Sequence, residues 1–117
     1  NNKGGTGVAP GVKLMPLRLL LGGPTALTSL QAANAFYYAA KNGAKIINNS
    51  WTVGNFSDDA VVIAAVSSAY DSGALILNAA GNSNAFATNS ENYGQMLTVA
   101  STTSTDARSG FSNYGPG

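Results

Sequence analysis

The residue types most able to do chemistry in this sequence lie where two short apolar runs end. The first run, residues 44–48, leads into the polar segment 48–51, and the second, residues 74–77, leads into the segment 78–82. The second segment places the amide of Asn82 among small residues, where its NH2 group has room to donate to an approaching oxygen. The pattern indicates a site that binds an oxygen atom. A loop in which Gly and Asn simply form a turn is the alternative interpretation.

Four apolar runs predict the strands that must position these segments, and they lie at residues 12–21, 44–48, 74–77 and 96–100. Short, nearly continuous apolar runs are typical of parallel strands buried on both faces. Ligands of open α/β sheets gather beyond the carboxyl ends of such strands. If the second and third strands are neighbours, the two polar segments form facing walls of one slot.

A first helix is predicted over residues 28–42. Thr28 followed by Gln31 is a capping box, and Gly43 supplies a left-handed stop. Helical spacing predicts one apolar face, made of Leu30, Ala33, Tyr37 and Ala40.

A second helix is predicted to start at Ser57, with Asp58 and Asp59 in its first turn, and to end before Gly73. Its predicted apolar residues are Val62, Ala65, Val66 and Ala69. Alternation of strands and helices at these lengths predicts right-handed crossovers. The expected fold class is therefore α/β, a parallel sheet with helices on both faces.

Composition limits the possible partners. The 117 residues suffice for one domain but are few for a complete α/β enzyme, and both ends look like cuts through a longer protein. A net charge of +1 without basic runs argues against nucleic acid and membrane surfaces as partners. His and Cys are absent, so a nucleophile served by a histidine base cannot be completed within these residues.

Four motifs in register connect the chain to a known family. They are Gly-Val-Ala-Pro at residues 7–10, Ile-Asn-Asn-Ser-Trp at 47–51, Ala-Ala-Gly-Asn-Ser at 79–83 and Ser-Gly-Phe-Ser-Asn-Tyr-Gly at 109–115. In this order and spacing, residues 1–117 resemble the central segment of a single subtilisin-like serine peptidase catalytic domain. The resemblance implies an incomplete subtilisin-like fold whose triad of Asp, His and Ser lies outside this segment.

The resemblance also implies roles for individual residues. Asn82 corresponds to the asparagine of the oxyanion hole, which donates to the tetrahedral intermediate during acylation of the serine. The remaining correspondences concern substrate binding. One pocket wall is Ser50, Trp51 and Thr52, the opposite wall is Ala79, Ala80 and Gly81, and the edge that pairs with the substrate backbone is Leu21, Gly22 and Gly23.

Two positions depart from the family pattern. Thr52 stands where many relatives have glycine, and the larger threonine side chain would narrow or reshape the pocket. Asn78 stands where many have alanine, and a polar group at the end of a buried strand needs a hydrogen-bond partner. Trp51 has an alternative interpretation as simple packing.

As a subtilisin-like endopeptidase, the protein would take peptide or protein substrates, be secreted, and be monomeric at full length. It needs no organic cofactor. Calcium is possible by resemblance, but the loop at residues 1–5 contains Lys3 and no carboxylate, so we predict no metal site in this chain.

Two other hypotheses stay open. A non-catalytic relative could keep the groove as a peptide-binding or structural module, and triad residues missing from the flanks would favour it. An unrelated flavodoxin-like or Rossmann-like binder of small molecules would be favoured by glycine-rich phosphate loops at helix starts, and none is found.

Overall fold

The chain folds into three parallel strands packed against two helices. The computed structural model describes residues 4–5, 7–19, 27–51, 59–86 and 94–115. The elements within them are α1 (Ser29–Lys41), β1 (Ile46–Asn49), α2 (Ala60–Asp71), β2 (Leu75–Ala79) and β3 (Met96–Val99). The α/β class and the parallel sheet predicted from the sequence are confirmed.

Helix α1 begins and ends as its local sequence predicts. The Thr28 hydroxyl accepts from the Gln31 backbone N–H at 3.3 Å, and the Gln31 side-chain oxygen accepts from the Thr28 backbone N–H at 2.9 Å. These two bonds complete the capping box. At the other end Gly43 adopts a φ of +79°, a conformation that costs glycine little, and the chain turns there toward β1.

Helix α2 starts later than predicted, because Asp59 and not Ser57 is its N-cap. The Asp59 carboxylate accepts from the backbone N–H of Val61 at 2.9 Å and of Val62 at 3.4 Å, satisfying two donors that have no partner within the helix. A cap must have extended backbone, so Asp59 precedes the first turn. Ser57 and Asp58 lie outside the described residues.

The core lies between the two helices and one face of the sheet. Every α2 residue predicted to face the core is fully buried. On α1 the predicted face was wrong at two positions, since Leu30 and Tyr37 are exposed while Phe36 is buried. The reason is that α1 is apolar on most sides, so the helix it packs against selects the buried stripe. That stripe is Ala32, Ala33, Phe36 and Ala39.

The strands are ordered β1-β2-β3, which places β2 in the centre. Ile76 of β2 lies between Ile47 and Met96 in register, and these three side chains belong to the core beneath the helices. One layer further along, Asn49 pairs with Asn78. The register therefore brings the carboxyl ends of the strands to one edge.

The second face of the sheet carries large apolar side chains that stay exposed. They are Ile46, Leu75, Leu97 and Val99, each more than half exposed. Both described helices belong to the opposite layer, where they pack on each other, so helices for this face are not among the described residues. Across the same ranges, no helix is long and apolar enough to span a bilayer.

The strand predicted over residues 12–21 is not found in its described part. Residues 12–19 form no strand, and Val12 and Leu14 are largely exposed. A strand exists through pairing with a neighbour. Among the described strands, β1 pairs only with β2, so its outer edge has no such partner.

Titration of Asp59 gives a first prediction. A hydrogen bond from the Ser29 side chain, together with the Val61 and Val62 N–H groups, lowers the pKa of Asp59 below its ordinary value of 3.8. A folded-state pKa below the unfolded value stabilises the fold above pH 3.8, and this contribution is lost as the pH falls further. We expect carboxyl chemical shifts to give an Asp59 midpoint below 3.8, and Ser29→Ala to raise it. An unchanged midpoint in Ser29→Ala would contradict the assigned cause.

Candidate active site

The carboxyl ends of β1 and β2 meet through a buried pair of amides. Asn49 and Asn78 are opposite each other in register, and the Asn49 Nδ2 donates to the Asn78 Oδ1 at 2.8 Å. The Asn78 Nδ2 donates to the Ala79 carbonyl at 3.2 Å, and the Asn49 Nδ2 also reaches the Trp51 carbonyl at 3.4 Å. The partner that the sequence required for Asn78 is therefore Asn49.

The residues after β1 form one side of this edge. Ser50 is exposed, and its hydroxyl accepts from the Asn48 Nδ2 at 2.8 Å. Trp51 is half-buried and packs against Phe36 of α1, with ring centroids 6.5 Å apart. This contact supports a packing role for at least part of the Trp51 ring. Thr52 lies outside the described residues, as do Leu21, Gly22 and Gly23.

The residues after β2 form the other side. Ala79 ends the strand half-buried, and Ala80 and Gly81 are buried. The Ala80 N–H donates to the Val99 carbonyl of β3 at 3.0 Å, so the chain stays attached to the sheet beyond the strand. Gly81 then turns with a φ of +100°, where a side chain would be strained.

Asn82 follows this turn and is exposed. Its side chain makes no hydrogen bond to the part of the chain that the structure describes. The amide NH2 is therefore available to an external oxygen. Residues 80–86, which carry Asn82, are referred to below as the strand-end loop.

A distant segment holds the strand-end loop. Residues 108–114, the clamp segment, run alongside it. Asn113 is the main contact: its backbone N–H donates to the Gly81 carbonyl at 3.0 Å, and its Oδ1 accepts from the N–H groups of Ser83 at 2.9 Å and Ala85 at 3.1 Å. A single residue thus satisfies three backbone groups of the loop.

Further contacts extend along the same two segments. The Asn84 N–H donates to the Phe111 carbonyl at 2.8 Å, and the Tyr114 N–H donates to the Ala85 carbonyl at 3.1 Å. The rings of Phe86 and Tyr114 meet edge to face with centroids 5.7 Å apart. These bonds make the clamp segment a second support for the loop besides β3.

Arg108 joins the two segments. Its guanidinium donates to the Asn84 Oδ1 at 3.0 Å and to the Ser112 carbonyl, and it lies 4.6 Å from the centre of the Tyr114 ring. The sequence analysis did not identify this contact between Arg108 and Asn84. Asn84 has a φ of +50°, which asparagine tolerates better than most residues, so the asparagine itself is a local sequence feature that fits a constrained turn.

The clamp segment is fixed to the end of β3 in turn. The buried Ser112 hydroxyl accepts from the Ser101 N–H at 3.0 Å, and the Ser109 N–H donates to the Ser101 carbonyl at 2.9 Å. The Ser101 and Ser109 hydroxyls are 2.9 Å apart. A continuous chain of hydrogen bonds therefore runs from Ser101, two residues after β3, through the clamp segment to the residues on both sides of Asn82.

At this edge of the sheet the exposed Asn82 amide follows the small residues Ala79, Ala80 and Gly81, an arrangement suited to binding a polarised oxygen. Its chemical groups are neutral amides, hydroxyls and backbone groups. Within the described ranges, no three His, Cys, Asp or Glu side chains lie together as a metal ion would require. Binding at this edge would therefore depend on hydrogen bonding and shape.

Comparison with known proteins finds similarity along the whole chain. A sequence model of the subtilase family matches residues 1–117. The chain is 34% identical over 135 residues to a calcium-dependent protease of Trichormus variabilis, covering 97% of this chain and 20% of the relative. It is 36% identical over 118 residues to thermitase of Thermoactinomyces vulgaris, covering 98% and 40%.

A solved structure shares the fold. The crystal structure of a lanthipeptide protease superimposes with a TM-score of 0.72 at 20% identity, covering 92% of this chain and 36% of that one. The chain therefore spans a minor part of each of these proteins. At this identity the similarity establishes the architecture of the described strands and helices.

Proposed function

Because the chain belongs to the subtilase family, we propose that it is the central segment of one catalytic domain of a serine endopeptidase. In this proposal a serine outside residues 1–117 attacks the peptide carbonyl, and an acyl-enzyme forms and is then hydrolysed. The Asp and His of the triad also lie outside the segment. The segment alone contains no triad and is expected to be inactive.

Asn82 is assigned the role of oxyanion-hole donor. The observation that carries this assignment is an exposed side-chain amide, without a hydrogen bond to the described residues, on a loop held by β3 and by the clamp segment. A donor held in advance toward the position of a developing negative charge stabilises the transition state without reorganising.

The slot between the two strand ends is assigned to the substrate side chain that precedes the cleaved bond. Its proposed walls are Ser50, Trp51 and Thr52 on one side and Ala79, Ala80 and Gly81 on the other. Burial of Ala80 and Gly81 supports a wall of small residues there. The edge at Leu21, Gly22 and Gly23 is proposed to pair with the extended substrate backbone.

Substrates are accordingly peptides or proteins, and no organic cofactor takes part. A secreted, monomeric full-length enzyme is part of the same proposal. We assign no calcium site to this segment. The donor set does not fit: the described carboxylates form no cluster, and calcium prefers several oxygen ligands that usually include Asp or Glu.

The proposal is tested on the intact protein with a fluorophosphonate probe, which labels activated serines covalently. We expect labelling of a serine outside residues 1–117, with loss of casein cleavage in proportion to the label. Heat-denatured protein serves as the control and should remain unlabelled. A folded intact protein that neither takes the label nor cleaves casein would instead favour a non-catalytic, peptide-binding relative.

A further inference from the structure

The hydrogen bonds around Asn82 single out one residue of the clamp segment. The direction in which a side chain leaves the backbone is set by the two peptide groups that flank its Cα. For Asn82 these are the 81–82 peptide, which contains the Gly81 carbonyl, and the 82–83 peptide, which contains the Ser83 N–H. Asn113 binds both: its backbone N–H donates to the first, and its side-chain Oδ1 accepts from the second.

We infer that Asn113 is a positioning residue for Asn82, setting the direction in which the Asn82 amide leaves the backbone. The inference rests on the proposed function, since it assigns Asn113 a role in the same peptide hydrolysis. Asn113 does not touch the substrate in this scheme. It acts through the backbone on either side of the donor.

The chemistry of the side chain matches this role. One amide oxygen has two lone pairs, and the Asn113 Oδ1 uses both, for the N–H groups of Ser83 and Ala85 at 2.9 and 3.1 Å. These donors lie on both sides of Asn84, whose positive φ requires the loop to be held tightly there. Without the acceptor, the two N–H groups would lose their partner in the described fold.

Asn113 is itself held in place before substrate binds. Its carbonyl accepts from the Ser112 hydroxyl at 3.0 Å, and that hydroxyl also accepts from the Ser101 N–H. Asn113 is therefore bonded directly to the strand-end loop and, through Ser112, to Ser101, which follows β3. Such support determines whether an oxyanion donor is rigid enough to act.

The test compares three replacements in the intact enzyme. Asn113→Ala removes the acceptor, and Asn113→Leu removes it while keeping the size of the side chain. Asn113→Asp keeps an oxygen that accepts from both N–H groups. We expect kcat to fall about tenfold in the first two variants with KM little changed, and to be largely retained in Asn113→Asp. Asn34→Ala, which removes an exposed amide on α1, is the control and should match the wild type.

A double-mutant cycle separates positioning from general loss of structure. In an Asn82→Ala background, Asn113→Ala should lower kcat little further, because the donor that it positions is already absent. Hydrogen exchange should also be faster at the Ser83 and Ala85 amides in Asn113→Ala, a measurement that does not depend on activity.

Each contrary result has a distinct meaning. If Asn82→Ala lowers kcat but neither Asn113→Ala nor Asn113→Leu does, the positioning inference is overturned and the proposed function stands. An equal loss of kcat from Asn113→Ala with and without Asn82 also overturns it, since Asn113 would then act independently of the donor. If Asn82→Ala leaves kcat unchanged, the proposed oxyanion role of Asn82 is wrong, and the positioning inference that depends on it is wrong as well.

Discussion

Replacing Asn82 by alanine in the intact protein is expected to lower kcat by about 10²–10³ with little change in KM. In the proposed mechanism the Asn82 amide donates to the oxyanion, a charge that develops only in the transition state, so loss of the amide should spare substrate binding. The magnitude is borrowed from a subtilisin, where removing one such donor costs about this much. The expected direction of the effect follows from the proposed role of Asn82 as a donor.

Two further variants sharpen that experiment. Asn82→Asp keeps the size of the side chain but, when ionised, offers only acceptors, so it should lose at least as much activity as the alanine variant. Asn34→Ala is again the control for removing an exposed amide. Turnover of Asn82→Ala within about threefold of the wild type would remove Asn82 from the mechanism.

Breaking the buried amide pair should cost stability. Asn49 and Asn78 are 5% and 4% exposed, and their side chains join β1 to β2 at the floor of the proposed slot. Asn49→Leu or Asn78→Leu leaves the remaining amide buried without this partner, so we expect a loss of about 1–3 kcal/mol in the free energy of unfolding.

The double variant distinguishes the hydrogen bond from packing. With both amides replaced by leucine no buried polar group of the pair remains, and stability should return most of the way toward the wild type. Denaturant unfolding of the intact protein measures all three variants. Additive losses in the double variant would show that the cost comes from misfit of the leucine side chains instead.

Features fixed by neighbouring residues were predictable from the sequence. The Thr28–Gln31 capping box and the Gly43 stop depend on residues within one turn of each other, and both are present. The strand predicted over residues 12–21 is not found in residues 12–19, because an apolar pattern indicates that burial is needed without identifying what supplies it. The same limit explains the misplaced face of α1.

The support for the candidate site could not be predicted. Asn113 meets Ser83 across 30 residues of sequence, and Arg108 meets Asn84 across 24. These bonds join side chains to loop backbone and loop side chains, and they follow no helical or strand period. Asn82 could be proposed from the sequence because its own motif and the end of β2 lie together in the chain.

The clamp segment also has a consequence for the order in which the protein matures during synthesis. The strand-end loop leaves the ribosome well before residues 108–114, yet its hydrogen bonds to Asn113 and Arg108 cannot form until those residues emerge. The capping box of α1 and the pairing of β1 with β2 need only earlier residues. The nascent chain can therefore assemble its scaffold first, and the loop that carries Asn82 takes its final shape late.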